Sequence, residues 1–196
     1  MTREEWLGKV ATKVTELLFQ PAGYDVPKNI RYTCGFPSKM ATSLRNRRIG
    51  ECWSVEASAD KTFEIMISPV LGDGISAASV LVHEIVHAVV GLDQKHNRIF
   101  GKCARKIGLV GKLTSTSASD TLKSQLQTII AEVGDYPHAE LHAIGNSRAA
   151  KTDPAVKMQC PSCESSGNRY ILRIGPQSLR QGAPLCPVHI TPLEVC

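Results

Sequence analysis

The sequence is poor in aromatic side chains, which make up 5% of its 196 residues. That stock is too small for the wide stacking platform on which some proteins hold single-stranded nucleic acid. No apolar segment of signal-peptide length follows the opening residues 2–5, so we expect no secretion. The longest apolar stretch, Val80 to Leu92, is interrupted by His83, Glu84 and His87 and is too short to span a bilayer. We therefore expect a cytoplasmic chain with no membrane partner.

A strong excess of one charge sign is also missing, since the net charge is only +5. The charge is uneven along the chain, however: residues 1–50 and 91–112 each carry +5, and the segment 51–90 between them carries −5. Basic segments of this kind suit a polyanion such as nucleic acid, and they equally suit solvated helix faces. The content of 42% hydrophobic and 21% charged residues is that of an ordinary globular protein.

Seven cysteines are present, an odd number. In a reducing compartment, cysteines that cluster in sequence are typical of metal sites rather than of disulfides. Cys160 and Cys163 cluster in this way. Cys34, Cys52 and Cys103 stand apart, and we expect them to be small buried hydrophobic residues.

The spacing of apolar residues predicts helices and strands in mixed order, an α+β fold. Helices are predicted over 3–19, 77–90, 97–106 and 121–133. Strands are predicted over 30–34, 50–55 and 62–68, the last two as an antiparallel hairpin. Thr2 and Glu5 fit a capping box, and Ser76 and Asp120 are the predicted caps of the second and fourth helices.

Composition also divides the chain. The Ser/Thr-rich stretch 114–121 is predicted to be a loop, and 145–156, rich in Gly, Asn, Lys, Asp and Pro, a linker. The linker separates a main domain, 1–144, from a small module, 157–196, which has its own Cys and Pro signals.

The segment His83-Glu-Ile-Val-His87 is an H-E-x-x-H pattern inside the clearest helix of the chain. Residues four apart lie on one face of a helix, so both imidazoles can bind one Zn²⁺. Glu84 can reach a water on that metal and take its proton as the water attacks a carbonyl. A zinc site also explains two histidines and a glutamate on an otherwise apolar helix, where unpartnered polar groups are costly.

A catalytic zinc needs a third protein ligand and an open fourth position. His96 is favoured, because Gly91 predicts a turn that folds the chain back towards the helix. Three other candidates remain: Glu132, His138 and His142. Tyr136 and His138 are candidates for stabilising the oxyanion, although the turn that contains them is equally consistent with a ring packed on the core.

Near the C-terminus, Cys160-Pro-Ser-Cys163 is followed by Cys186-Pro-Val-His189. Each half is typical of a knuckle that directs two ligands to a single tetrahedral zinc, so the module is predicted to be a zinc ribbon with a strand over 169–174. Because so short a segment has little core, the structural zinc would supply much of its folding free energy. Cys196 is the alternative fourth ligand.

Together these motifs resemble the SprT-like (Spartan-type) family of zinc metalloproteases, most of all its small phage-encoded members. The resemblance runs from about Gly50 onward and includes the two strands, the H-E-x-x-H helix, His96-Asn-Arg-Ile-Phe100, the turn at 136–138 and the ribbon, in the family's order. Two features depart from the family pattern: its His-Gly pair is His96-Asn97 here, and the last ribbon ligand is His189 instead of cysteine.

The resemblance implies a zincin-like metalloprotease domain with a small antiparallel sheet, followed by the ribbon. It implies an intracellular, DNA-associated zinc peptidase with His83, His87 and His96 as ligands and Glu84 as base. The expected partners are a protein substrate and DNA, and the expected state is a monomer. We expect the substrate to pair with an exposed edge strand, for which 62–68 is the candidate.

Two other functions remain open. In the first, the chain is a DNA-binding or regulatory zinc protein with a non-catalytic H-E-x-x-H site, and its ribbon and basic helix contact phosphates. The basic residues of that helix are Arg98, Lys102, Arg105 and Lys106. In the second, it is an interaction protein without metal chemistry.

Overall fold

The computed structural model describes residues 1–43, 45–142, 155–165, 167 and 169–196. They form two compact units, one within 1–145 and the other within 146–196. Helices and small sheets occur in mixed order, which confirms an α+β fold. The predicted linker, 145–156, lies outside the described residues except for its last two.

The larger unit begins with α1 (Arg3–Val14), which continues as a π-helical turn over Thr15–Phe19. Its start is the predicted capping box: the Thr2 hydroxyl accepts from the Glu5 amide, and the Glu5 carboxylate accepts from the Thr2 amide. The inner face of α1 buries Trp6, Val10 and Val14 completely. This helix is part of the core that supports the rest of the unit.

A three-stranded sheet follows, formed by β1 (Ile30–Cys34), β2 (Gly50–Trp53) and β3 (Phe63–Ile67) in the order β1-β3-β2. β2 and β3 pair antiparallel, which confirms the predicted hairpin. β1 pairs parallel with β3, so the sheet is mixed and the expectation of a purely antiparallel sheet is wrong. The choice of 62–68 as an edge strand is also wrong, because β3 is hydrogen-bonded on both sides.

The long helix α2 (Gly74–Val90) packs against the sheet and against α1. It begins three residues before its predicted start because Asp73, not Ser76, is the N-cap: the Asp73 carboxylate accepts the Ser76 amide at 2.7 Å. Its apolar residues Leu81 and Ile85 are completely buried. Burying such a side chain contributes roughly 1.5–3 kcal/mol to folding, so α2 is held firmly in the core.

After a 3₁₀ turn at Leu92–Gln94, α3 (Arg98–Ile107) starts within a residue of its predicted start, with Asn97 as the N-cap whose side chain accepts amides of the first turn. Then β4 (Leu109–Lys112) and β5 (Ser115–Ala118) form a hairpin where a loop was predicted over 114–121. The last helix of this unit is α4 (Asp120–Val133), capped by Ser119 rather than by the predicted Asp120.

The smaller unit contains β6 (Val156–Gln159), β7 (Ile171–Ile174) and β8 (Glu194–Val195), an antiparallel sheet in the order β7-β6-β8. Two short helices, α5 (Pro161–Ser165) and α6 (Pro176–Leu179), accompany it. The core of this unit is small: besides three cysteines, only Met158 and Leu193 are fully buried among the described residues. In neither unit does the described part of the chain contain a helix long and apolar enough to cross a membrane.

Candidate metal centres

Three imidazoles converge in the larger unit. His83 and His87 lie one turn apart on α2, and His96 reaches them from the segment before α3. The Nε2 atom of His96 is 3.3 Å from Nε2 of His83 and 3.2 Å from Nε2 of His87. All three ring nitrogens lie within 4.8 Å of one another, so this group can hold a metal ion.

The chain reverses sharply between the second and third histidines. Gly91 has a φ of 90° and Lys95 a φ of 47°, so both residues adopt left-handed backbone. Only glycine adopts this conformation without cost, which explains Gly91 directly after α2. The reversal returns His96 to the helix face that carries His83 and His87.

The alternative third ligands lie elsewhere. The carboxylate of Glu132 pairs with Nζ of Lys13 at 2.7 Å. His138 donates from Nε2 to a backbone oxygen, and His142 is exposed. His96 therefore joins the cluster and the three competitors do not.

Burial keeps the clustered imidazoles neutral. Together with the neighbouring ring of His96, it lowers the pKa of His83 to about 4, and together with both other rings it lowers the pKa of His87 to about 3. The pKa of His96 is lowered by burial and by the nearby Arg48. A neutral imidazole keeps the lone pair that a metal needs, so the unprotonated rings suit a metal site near neutral pH.

Two neighbours of the cluster were not identified from the sequence. The buried ring of Phe100 contacts all three imidazoles, with centroid distances of 5.0, 4.5 and 4.9 Å to His83, His87 and His96. Its spacing of four residues from His96 was a usable signal. The Oγ1 atom of Thr116 lies 2.7 Å from Nδ1 of His83, a contact with no sequence signal because the residue falls in the predicted loop.

Glu84 is the one acidic side chain that is buried among the described residues, with 6% of its surface exposed. Burial raises the pKa of its carboxyl to about 8; the charge of Arg48 opposes this rise and that of Glu51 adds to it. The backbone of Gly50 packs directly on this carboxylate: a Cβ at Gly50 would lie 2.5 Å from Cγ1 of Val80 and would overlap Oε1 of Glu84. Glycine is therefore required where the start of β2 meets the carboxylate.

The three histidines and Glu84 line an open cleft of about 580 Å³. Residues 46–52, which lead into β2, line one part of it, and residues 114–116 at the start of β5 line another. β2 is an edge strand of its sheet, hydrogen-bonded to β3 on one side. Glu51 is held beside the cleft by the Ser38 amide and the Arg48 guanidinium. The candidate ligands thus face a cleft that an extended ligand can enter along a strand edge.

Tyr136 and His138, predicted as oxyanion stabilisers, do not line this cleft. The Tyr136 ring packs on Trp6, with centroids 4.6 Å apart, and its hydroxyl donates to Sγ of Cys34. Nε2 of His138 donates to the carbonyl of Pro69 at 2.8 Å. The structure therefore shows the alternative, a turn whose ring packs on the core at the other end of α2.

The predicted basic face of α3 is exposed. Its four side chains, Arg98, Lys102, Arg105 and Lys106, all point to solvent. Lys106 lies over the ring of Tyr24, with Nζ 5.5 Å from the centroid. Within the described ranges, none of the four makes an ion pair with a carboxylate, so their charge is available to an anionic partner.

The smaller unit holds the second cluster, made of Cys160, Cys163, Cys186 and His189. Nδ1 of His189 lies 3.6, 3.3 and 3.8 Å from the three sulfurs in that order, and all four ligand atoms are within 4.8 Å of one another. The three cysteines are buried. Cys196, the alternative fourth ligand, is exposed and lies outside this group.

Hydrogen bonds favour ionisation of one of these thiols. Burial opposes ionisation of Cys160, but hydrogen bonds from the Thr191 hydroxyl, the Cys163 amide, the Cys186 thiol and the His189 ring together lower its pKa to about 6. The thiolate is the form that binds metals. Three sulfurs and one ring nitrogen can therefore hold a metal ion with four protein ligands.

No protein-family model, curated protein or solved structure matches this chain. The two ligand clusters are therefore the features from which a function can be inferred. They differ in one respect: the histidine cluster has three protein ligands beside an open cleft, whereas the cysteine cluster has four, of which the three cysteines are buried in a small core and His189 is exposed.

Proposed function

We propose that this chain is a zinc-dependent endopeptidase of SprT-like type, a monomer that acts in the cytoplasm on DNA-associated proteins. His83, His87 and His96 would hold the catalytic zinc, and Cys160, Cys163, Cys186 and His189 a structural zinc in a ribbon. The observation that carries the proposal is the convergence of three neutral imidazoles and a buried carboxylate on one open cleft.

Both donor sets suit zinc. Three protein ligands with a position left for substrate are typical of catalytic zinc, and a closed Cys₃His set is typical of structural zinc. A zinc ion in the histidine cluster supplies Lewis acidity, which polarises a peptide carbonyl and acidifies water. Hydrolysis needs no change of oxidation state, and Zn²⁺ is not redox-active.

Glu84 moves the proton in this proposal. The carboxylate takes a proton from the attacking water and returns it to the leaving amide nitrogen, so that one water is added across the peptide bond. Its burial suits both halves of this task, because a carboxyl with a pKa raised to about 8 both accepts and releases a proton near neutral pH. The glycine at position 50 leaves the space in which the carboxylate lies.

β2 replaces the earlier candidate 62–68 as the strand that receives the substrate. It is an edge strand, and Gly50, Glu51 and Cys52 line the cleft beside the histidines. A peptide that pairs with this edge extends the sheet and presents its carbonyls to the cluster. Because such pairing uses main-chain hydrogen bonds, β2 would accept substrate peptides with many different side chains.

The test is zinc content and cleavage measured together on a DNA-bound protein. Wild type is expected to hold two zinc ions per chain and to cleave the substrate, to lose cleavage when a chelator strips the metal, and to regain it on addition of zinc. His96→Ala is expected to hold one zinc and to cleave nothing, because the histidine cluster loses a third of its ligands.

The exposed histidine at position 142 provides the control for this test, since it lies outside the cluster. His142→Ala is expected to match wild type in zinc content and cleavage. Wild-type protein with two zinc ions and no cleavage of any protein would overturn the peptidase proposal. A chain with one zinc, bound by the cysteines, would overturn the catalytic metal site as well.

The basic face of α3 favours a second candidate, a DNA-binding or regulatory zinc protein whose histidine site is not catalytic. Its four cations are exposed and without ion pairs in the described part of the chain. Such side chains bind phosphates and release the counterions around them. The peptidase proposal also requires DNA binding, because its substrates are proteins on DNA.

Neutralising three of these cations, as Arg98→Gln, Lys102→Gln and Arg105→Gln, is expected to weaken DNA binding at low salt. Each phosphate contact contributes about 0.9 to the slope of log affinity against log salt, so the triple variant should lower that slope by up to about 2.7. The measurement is a salt titration with single- and double-stranded DNA. The control neutralises three exposed lysines outside α3: Lys9, Lys61 and Lys123. An equal loss in both variants, or no salt-dependent binding at all, would contradict a DNA surface on α3.

A further inference from the structure

We propose that Thr116 is a positioning residue that fixes the ring of His83 for metal binding, an inference that rests on the proposed metal site. The contact is a hydrogen bond of 2.7 Å between Oγ1 of Thr116 and Nδ1 of His83. Nδ1 faces away from the cluster, whereas Nε2 faces His96 at 3.3 Å. The two nitrogens of this ring therefore have separate partners.

The bond is compatible with the tautomer that metal binding through Nε2 requires, in which Nδ1 carries the proton. When Nδ1–H donates to the hydroxyl oxygen, Nε2 keeps its lone pair and points it into the cluster. In the other neutral tautomer, Nε2 carries the proton and cannot bind a metal. A hydroxyl at position 116 can accept this hydrogen bond and a methyl group cannot.

The β4–β5 hairpin brings Thr116 to this ring. Along β5 the exposed Ser115 and Ser117 alternate with the half-buried Thr116 and the buried Ala118, so the threonine lies on the inner face. The hairpin approaches α3 closely: a Cβ at Gly101 would lie 2.9 Å from Cδ1 of Leu113. Glycine at position 101 thus permits the packing that places Thr116 against α2.

Ring packing alone leaves the tautomer open. Phe100 contacts all three imidazoles, but an aromatic face does not distinguish a protonated Nδ1 from a protonated Nε2. Hydrogen-bond partners of this type, on the nitrogen that does not bind the metal, typically change metal affinity about 10- to 100-fold when they are removed. For His83, Thr116 is that partner, because its hydroxyl can accept Nδ1–H when Nε2 binds the metal.

The test compares Thr116→Val, which removes the hydroxyl and keeps the shape, with Thr116→Ser, which restores the hydroxyl. Valine is expected to weaken zinc binding at the histidine cluster by about 10- to 100-fold, and serine is expected to remain near wild type. Chelator competition measures the affinity. Cobalt substitution separates the two sites, because only the cysteine cluster gives sulfur-to-metal charge-transfer bands.

A second readout needs no activity. In the zinc-loaded protein, the Nδ1–H proton of His83 is expected to exchange slowly with solvent in wild type, because the Thr116 hydroxyl accepts it, and faster in Thr116→Val. Ser117→Ala removes an exposed hydroxyl from the same strand and should change neither measurement. Unchanged zinc affinity and unchanged Nδ1–H exchange in Thr116→Val would overturn this inference alone, whereas wild-type protein without zinc at the histidines would overturn the proposed function.

Discussion

Glu84→Gln is expected to reduce peptide hydrolysis by roughly 100- to 10,000-fold, the range typical of a lost general base. The amide keeps the shape of the side chain but cannot accept the proton of the attacking water. The fold should tolerate the change, because glutamine has nearly the size of glutamate and places no charge in the buried position. The measurement compares the rates at which wild type and Glu84→Gln cleave a DNA-binding protein, in the presence and in the absence of DNA.

Zinc content decides how a loss of activity in Glu84→Gln is interpreted. The variant should still bind two zinc ions per chain, since Glu84 belongs to neither ligand cluster. The control is Glu56→Gln, because that exposed glutamate pairs with Lys61 alone among the described residues and lies outside the cleft. Activity retained in Glu84→Gln would remove this carboxylate from the mechanism, even if the protein proves to be a zinc peptidase.

Cys186→Ser is expected to unfold the smaller unit while the larger unit stays folded. Cys186 is completely buried and is one of four ligands in a unit whose apolar core is very small. A structural zinc contributes about 10–16 kcal/mol of binding free energy to small domains of this kind, more than such a core can replace. Amide exchange should therefore become fast over 156–159 and 171–174 and remain slow in α2.

The exposed cysteine at the C-terminus provides the matched control. Cys196→Ser makes the same chemical change outside the ligand group and should leave amide protection and zinc content unchanged. If Cys196→Ser instead releases zinc, then Cys196 and not His189 is the fourth ligand. If Cys186→Ser keeps its protected amides, the unit does not depend on a metal for its fold.

The elements with strong local signals could be predicted from the sequence. The apolar spacing around His83 predicted a helix, and Gly91 predicted the turn that returns His96 to it. The start of α3 was predicted to within a residue, and Asn97 caps it because its side chain accepts amides of the first turn. These features depend on neighbours within a few residues, which a sequence displays directly.

Features that depend on distant residues could not be predicted. The pairing of β1 with β3 is parallel and joins residues more than thirty positions apart, so no local pattern shows it. β5 consists of small residues, mostly Ser and Thr, whose composition is typical of a loop, so its pairing with β4 and the role of Thr116 were not predicted. The turn at Tyr136 looked functional because of its residue types, yet contact with Trp6 determines its position.

The spacing of the ligands along the chain has a consequence for the order in which the two clusters assemble. Eight residues separate His87 from His96, whereas twenty-two separate Cys163 from Cys186. The entropy of closing a loop grows with the logarithm of its length, so the longer closure costs about 0.9 kcal/mol more. The shorter loop also requires less diffusive search. We therefore expect the three histidines to come together early in folding. Cys186 and His189, the second pair of ligands in the smaller unit, should join their cluster later.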